Sequence, residues 1–388
     1  MRKHRRVALI GTYPPRRCGI ASFTADLAEA LSQAGTDVRI AAMIREAQGE
    51  TIPPGATWAI RDERPRDYVR AAEAMSAAGI DVVCVQHEYG IFGGEDGRFI
   101  LRLYEELRAP IITTLHTVLK SPTKGQKRVL SEICARSAFV VVMAEKAREL
   151  LQQVYGVPES RIRLIRHGVP VYHSPVPRET MKAKLGLGGR RVISTFGLLS
   201  PGKGVENVIL ALPEVVRRYP ETTYLILGGT HPDVVRRSGE RYRQSLEAMV
   251  DRLGMADHVR FVNRFLEREE LLDYLWASDL FVTPYPGKEQ ICSGTLTYAV
   301  GLGRAVVSTP YWYAEELLGQ GAGSLVPFRD AGAMARAILE MFDHPLKQQA
   351  CEAKARSFGA SVSWPQIGLQ YAELAEEGLA PAHPMSVR

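Results

Sequence analysis

The sequence predicts two doubly wound α/β domains in tandem. Three observations carry this. The chain is 388 residues long, more than one ordinary hydrophobic core accommodates. Short runs rich in Val and Ile recur from end to end, and each is followed by a segment with helical periodicity. The runs are nearly continuous in apolar residues, as strands covered on both faces of a parallel sheet must be.

In chain order the first half offers "RVALIG", "DVRIAAM", "DVVCVQHE", "PIITTLH", "FVVVMA" and "RIRLIRHG" as strands. Between the first two lies "ASFTADLAEALSQAG", an amphipathic helix ending on a glycine suited to a C-cap. The opening "MRKHRRVALIGTYPP" is basic and then apolar, but its apolar part is only Val7 to Ile10. A secretory h-region needs about 7–15 such residues, so this stretch reads as the first buried strand. After His167 and Gly168 comes "VPVYHSPVPRETMKAKLGLGG", rich in Pro and Gly: a linker and entry segment. A second alternation follows, with "RVISTFG", "TYLILGG", "HVRFVNRF", "DLFVTPY", "RAVVSTP" and "GSLVPF" as strands; from "AMARAILEMF" onward the pattern is helical. The expected division is residues 1–172, 173–361, and a helical segment 362–388.

Composition narrows the function. No run approaches the roughly 20 apolar residues of a membrane span. Five scattered cysteines, odd in number and without C-x-x-C spacing, argue against a disulfide framework or zinc site and for a reducing, cytoplasmic setting. The net charge of +6 suits an anionic small substrate, and no nucleic-acid recognition motif accompanies it. Lys120, Lys124, Lys127 and Arg128 in "LKSPTKGQKR" leave a peripheral membrane contact open beside the plainer reading of a solvated loop.

Ligands of such folds sit at the carboxyl ends of the strands, and several polar loops fall there. In "FGLLSPGKGVEN", Gly197, Gly202 and Gly204 allow tight turns and Lys203 places a cation beside a helix start, a combination suited to phosphate. The spacing is not that of a Walker loop, and no Ser or Thr follows the lysine to bind magnesium. In "KEQICSGTLTYAVGLG", Ser293, Gly294 and Thr295 open a helix. Such an end either is simply capped, worth about 1 kcal/mol, or receives an anion. Gly228 and Gly229 close another strand. In the first half "GTYPPRRCGIASF" places Gly19 at a helix start, but its glycines lack the G-x-G-x-x-G spacing of a dinucleotide site. His87 and His116 end strands, and His167 precedes the linker. No Ser-His-Asp order and no metal-ligand cluster is evident.

Taken together, "GTYPPRRCGIASF", "TLHT", "HGV", "FGLLSPGKGVENVILAL", "ASDLFVTPY", "GLGRAVVSTP" and "WPQIGLQYAEL" resemble, in order and spacing, the GT-B-fold glycosyltransferases, closest to the large retaining family 4. The resemblance spans essentially the whole chain. It implies transfer of a sugar from a nucleotide-diphosphate sugar to a carbohydrate or lipid-linked acceptor, without a metal or other cofactor. Carried over by position, Gly19 approaches the donor diphosphate and sugar, His116 stands beside the anomeric carbon, and Gly197 and Lys203 hold phosphate. Residues Ser293, Gly294 and Thr295 receive the β-phosphate, and Glu289 and Gln290 meet the donor sugar. Gly229, Arg264 and Tyr298 fall at the nucleoside, while His87, Glu88 and Tyr89 face the acceptor. Two departures stand out. Where relatives carry Gly-Arg-Leu this chain has Gly197, Leu198 and Leu199, and their two glutamates are Gln290 and Tyr298. These departures leave open a phosphorylase-like or epimerase enzyme of the same fold, and a sugar-nucleotide-binding protein without catalysis.

Overall fold

The computed structural model describes residues 5–379. The chain divides into two units. One runs to Gly168 and resumes at Trp364; the other spans Val169–Ser363. The crossings thus fall at 168/169 and 363/364, against the 172 and 362 expected from the linker composition. The C-terminal helix Trp364–Leu379 belongs to the first unit.

The first unit holds a seven-stranded sheet built of β1 (Arg6–Gly11), β2 (Asp37–Ile44), β3 (Trp58–Arg61), β4 (Val82–His87), β5 (Ile111–Leu115), β6 (Phe139–Val142) and β7 (Ile162–Leu164). Its order is β3-β2-β1-β4-β5-β6-β7 and every pairing is parallel. Val7, Ala8, Leu9 and Ile10 are all fully buried, because helices cover both faces. The short edge strand β3 was not expected from the sequence. Its four residues, "WAIR", lie between turns and are too few to show a period.

The second unit repeats the plan with β8 (Arg191–Phe196), β9 (Thr222–Leu227), β10 (Val259–Val262), β11 (Leu280–Thr283), β12 (Ala305–Ser308) and β13 (Gly323–Leu325). The order β10-β9-β8-β11-β12-β13 is again all parallel. Ile193, Tyr224, Ile226, Val282 and Val307 face a core closed by Val208, Leu212, Ile338 and Met341 of the flanking helices. In each sheet the strand order reverses once, between β1 and β4 and between β8 and β11. The connections on either side of such a point diverge to opposite faces and leave a crevice at the strands' carboxyl ends. Gly19 and His116 follow strands beside the first switch point, and Lys203 follows a strand at the second.

Candidate active site

In the second unit three backbone loops converge at the switch point. Gly197 ends β8 with φ 124°, in the region that side-chain-bearing residues avoid. Gly228 ends β9 with φ 133°, and a Cβ there would stand 2.3 Å from the Gly197 carbonyl oxygen. Both glycines are therefore required for the loops to touch backbone to backbone. A Cβ on Gly197 would reach the Thr295 methyl at 3.1 Å and Lys203 Nζ at 3.8 Å, so the phosphate-type loop and the helix start are neighbours in space.

A residue absent from the expected set joins them. Lys203 Nζ donates to the Tyr285 hydroxyl at 2.8 Å. That hydroxyl lies 2.7 Å from Thr295 Oγ1 and 3.4 Å from Ser293 Oγ. Tyr285 sits just past β11, is 4% exposed, and stacks its ring on Tyr311 with centroids 4.9 Å apart. Burial alone pushes the Tyr285 phenol up, but the Lys203 ammonium and the hydrogen bonds outweigh it and hold the group below its ordinary value. The sequence signal was present: Tyr285 lies in "ASDLFVTPY" at a strand's carboxyl end. Tyrosine in a run of apolar residues simply reads as core.

Helix Gly294–Gly301 is capped by Ser293, whose Oγ accepts from Leu296 N–H at 3.3 Å. Capping one amide leaves the other first-turn amides outside the helical ladder, so the cap does not exclude an anion site. Gln290 is exposed and its Nε2 donates to the Cys292 carbonyl at 2.6 Å, tying it to its own loop; Glu289 beside it is exposed. Tyr298 is half-buried, its ring 6.2 Å from that of Phe196. Gly229 lies against Arg264, whose Cα is 3.6 Å from where a glycine Cβ would be. The Arg264 guanidinium is already paired with Glu270, which raises its pKa.

In the first unit Gly19 begins helix Gly19–Gln33, with Cys18 as N-cap, and among the described residues nothing beyond its chain neighbours and its own helix backbone lies within 4 Å of a Cβ placed on it. The backbone there is open to close approach. His116, just past β5, donates its amide to the His87 carbonyl at 3.0 Å, and its Nε2 is 3.1 Å from Gln86 Oε1. The Phe23 ring meets it edge-on at 4.8 Å and likewise meets His167 and Trp364, each at 5.1 Å. Burial pushes the His116 imidazole down to about 3, with His167 and His87 acting in the same direction. It is neutral at physiological pH.

The expected acceptor-side trio is not a common surface. His87 is 0% exposed, its ring between Tyr89 at 5.1 Å and Phe92 at 5.8 Å, and burial lowers it to about 3. Its place at a strand end suggested access, but the turns that follow β4 fold back over it. The hydroxyl of Tyr89 is buried too. Glu88 is half-buried and accepts from Thr117 Oγ1 at 2.5 Å and Tyr89 N–H at 2.9 Å; burial holds its carboxyl above the usual range.

Both halves of the chain match known protein families. The sequence model of Glycosyltransferase Family 4 matches residues 18–172, and that of Glycosyl transferases group 1 matches residues 190–344. A GDP-mannose-dependent alpha-(1-6)-phosphatidylinositol monomannoside mannosyltransferase of Mycolicibacterium smegmatis is 29% identical over 210 residues, which are 52% of this chain and 51% of that protein. The chain thus spans about half that relative's length. A phosphatidyl-myo-inositol mannosyltransferase of the same organism is 24% identical across 91% of this chain and 88% of its own. The crystal structure of Anabaena HepE in complex with UDP and glucose superposes with a TM-score of 0.76 at 18% identity, covering 96% of this chain and all of that one. At that identity the likeness establishes the fold. Two domain models in tandem, relatives named as glycosyltransferases and paired parallel sheets agree: the chain belongs to the GT-B glycosyltransferases of the family 4 type.

Proposed function

We propose that the protein transfers a sugar, with retention at the anomeric carbon, from a nucleoside-diphosphate sugar to a hydroxyl of a carbohydrate or glycolipid acceptor. The observation that carries this reading is the gathering of Lys203, Thr295 and the open helix start around Gly197 at the switch point of the second sheet. One ammonium, one hydroxyl and several backbone amides make a set of donors suited to a diphosphate. When the anomeric C–O bond breaks, positive charge develops on the sugar ring and negative charge on the departing β-phosphate. Donors fixed in advance around that phosphate stabilise the second charge at no reorganisation cost. The acceptor hydroxyl then bonds to the anomeric carbon and gives its proton to the leaving phosphate oxygen, so no protein carboxylate is needed as nucleophile. His116, neutral and wedged by Phe23, orients the donor sugar, and the open backbone at Gly19 lets the donor approach. The acceptor class follows the relatives, two of which are named for phosphatidylinositol-based acceptors.

The test is turnover of a panel of nucleoside-diphosphate sugars with polyol, polyol-phosphate and glycolipid acceptors. Lys203→Ala is expected to lower turnover by about 100-fold or more, as removal of an electrostatic stabiliser does, with an unchanged melting temperature. Near-normal turnover in that variant would overturn the assignment.

A further inference from the structure

Tyr285 occupies the middle of the anion site, yet none of the chemistry above uses it. Its position is over-determined. The ring is stacked on Tyr311, and its own backbone carbonyl accepts from Thr309 Oγ1 at 2.6 Å. The hydroxyl is consequently fixed between Lys203 Nζ at 2.8 Å and Thr295 Oγ1 at 2.7 Å.

We infer that Tyr285 is a positioning residue: it anchors the Lys203 ammonium and turns the Thr295 hydroxyl outward as a donor to the diphosphate. The inference rests on reading this site as the phosphate site. It follows from counting protons. An ammonium has only donors, so Tyr285 oxygen must accept from Lys203. The single Tyr285 proton is then directed to the nearer remaining oxygen, Thr295 Oγ1. With its oxygen accepting, Thr295 directs its own proton elsewhere. The competing partner inside the protein is Ser293 Oγ, at a longer 3.1 Å, which already accepts from Leu296 N–H. Thr295 is half-buried and so keeps part of its surface accessible, and an anion bound beside it receives its proton. Lys203, Tyr285 and Thr295 thus form a chain of hydrogen bonds with one direction, and each bond polarises the next. Because the stack on Tyr311 fixes the ring, the order of this chain is set before any ligand arrives.

The experiment measures the affinity of the full chain for inorganic pyrophosphate by titration calorimetry, which avoids any assumption about the donor base. Tyr285→Phe keeps the stacked ring and removes only the hydroxyl. It is expected to weaken pyrophosphate binding about tenfold, the scale of a lost charge-assisted hydrogen bond, with the melting temperature of the unliganded chain unchanged. Thr295→Val is expected to lose a similar factor. Tyr285→Phe combined with Thr295→Val should lose clearly less than the product of the two, because one acts through the other; a merely structural role for Tyr285 would leave the losses independent. Wild-type affinity in Tyr285→Phe, alongside a loss in Lys203→Ala, overturns the positioning role and leaves the phosphate site standing. Losses that multiply overturn it as well. No pyrophosphate binding by the wild type, or full binding by Lys203→Ala, removes the phosphate reading and this inference together.

Discussion

Three histidines of the first unit, His87, His116 and His167, all have imidazoles held well below the ordinary value by desolvation, at about 3, about 3 and about 4. Unfolding restores each to about 6.5. Between those limits the unfolded chain binds more protons than the folded one, so stability rises with pH across the window. The contribution is fully present above about pH 6.5 and is lost as pH falls toward the folded values. Thermal melting at pH 7 and pH 5 should therefore show a drop at the lower pH. His87→Leu, which removes a fully enclosed ring outside the proposed anion site, should show a smaller drop than the wild type. Equal drops would show that the His87 ring is not neutral in the native state. The same desolvation keeps the His116 imidazole neutral, so the part proposed for it in the reaction rests on shape and hydrogen bonding and not on charge.

At the scale of elements, the proposed anion site depends on how helix Gly294–Gly301 is seated. Its C-terminal end is packed without slack. A Cβ on Gly359, in helix Pro345–Ser361, would stand 2.2 Å from the Gly301 carbonyl oxygen, and one on Gly301 would stand 2.4 Å from a Val169 methyl. The next residues fix the same end by charge. Arg304, 1% exposed, donates to the Ser278 carbonyl at 3.0 Å and lies 4.0 Å from Glu352 of helix Pro345–Ser361. Gly359→Val forces these helices apart and is expected to cost about 1–3 kcal/mol, as overpacking of a tight core does. Urea unfolding of the variant measures this directly. Stability equal to the wild type would mean the helix pair has room to shift, and the seat of Thr295 would then be softer than its contacts imply.

At the scale of the whole molecule, the first unit is discontinuous in sequence. Helix Trp364–Leu379 buries Trp364, Ile367, Tyr371 and Leu374. The Tyr371 hydroxyl meets Thr114 Oγ1 at 2.8 Å, and Gly368 approaches helix Gly19–Gln33 so closely that a Cβ would stand 2.5 Å from the Ala30 carbonyl oxygen. Trp364 also backs the Phe23 ring that supports His116. A chain ended after Ser363 should consequently lose amide-exchange protection in β1, β5 and helix Gly19–Gln33, while β8, β9 and β11 keep theirs. Protection that stays intact in the first unit would show that its core closes without this helix.

The sequence by itself determined the strand-helix alternation, the two repeated halves and the loops at their carboxyl ends. A strand buried on both faces must be written almost wholly in Val, Ile, Leu and Ala, and "RVALIG" or "RAVVSTP" can hardly be read otherwise. Gly197 and the Ser293 cap were legible because local backbone geometry favours those residue types there, and Lys203 because it sets a cation beside a helix start. What only the tertiary structure decided is which distant residues meet. Tyr285 and Lys203 are 82 positions apart in the chain and joined by one hydrogen bond. His87 ends its strand much as His116 does, yet one is sealed and the other half-buried. Local propensity depends on neighbours within a turn or a strand. Burial of a given side chain and the partner of its hydroxyl depend on which loops the sheet order carries to the same switch point, and no local pattern records that.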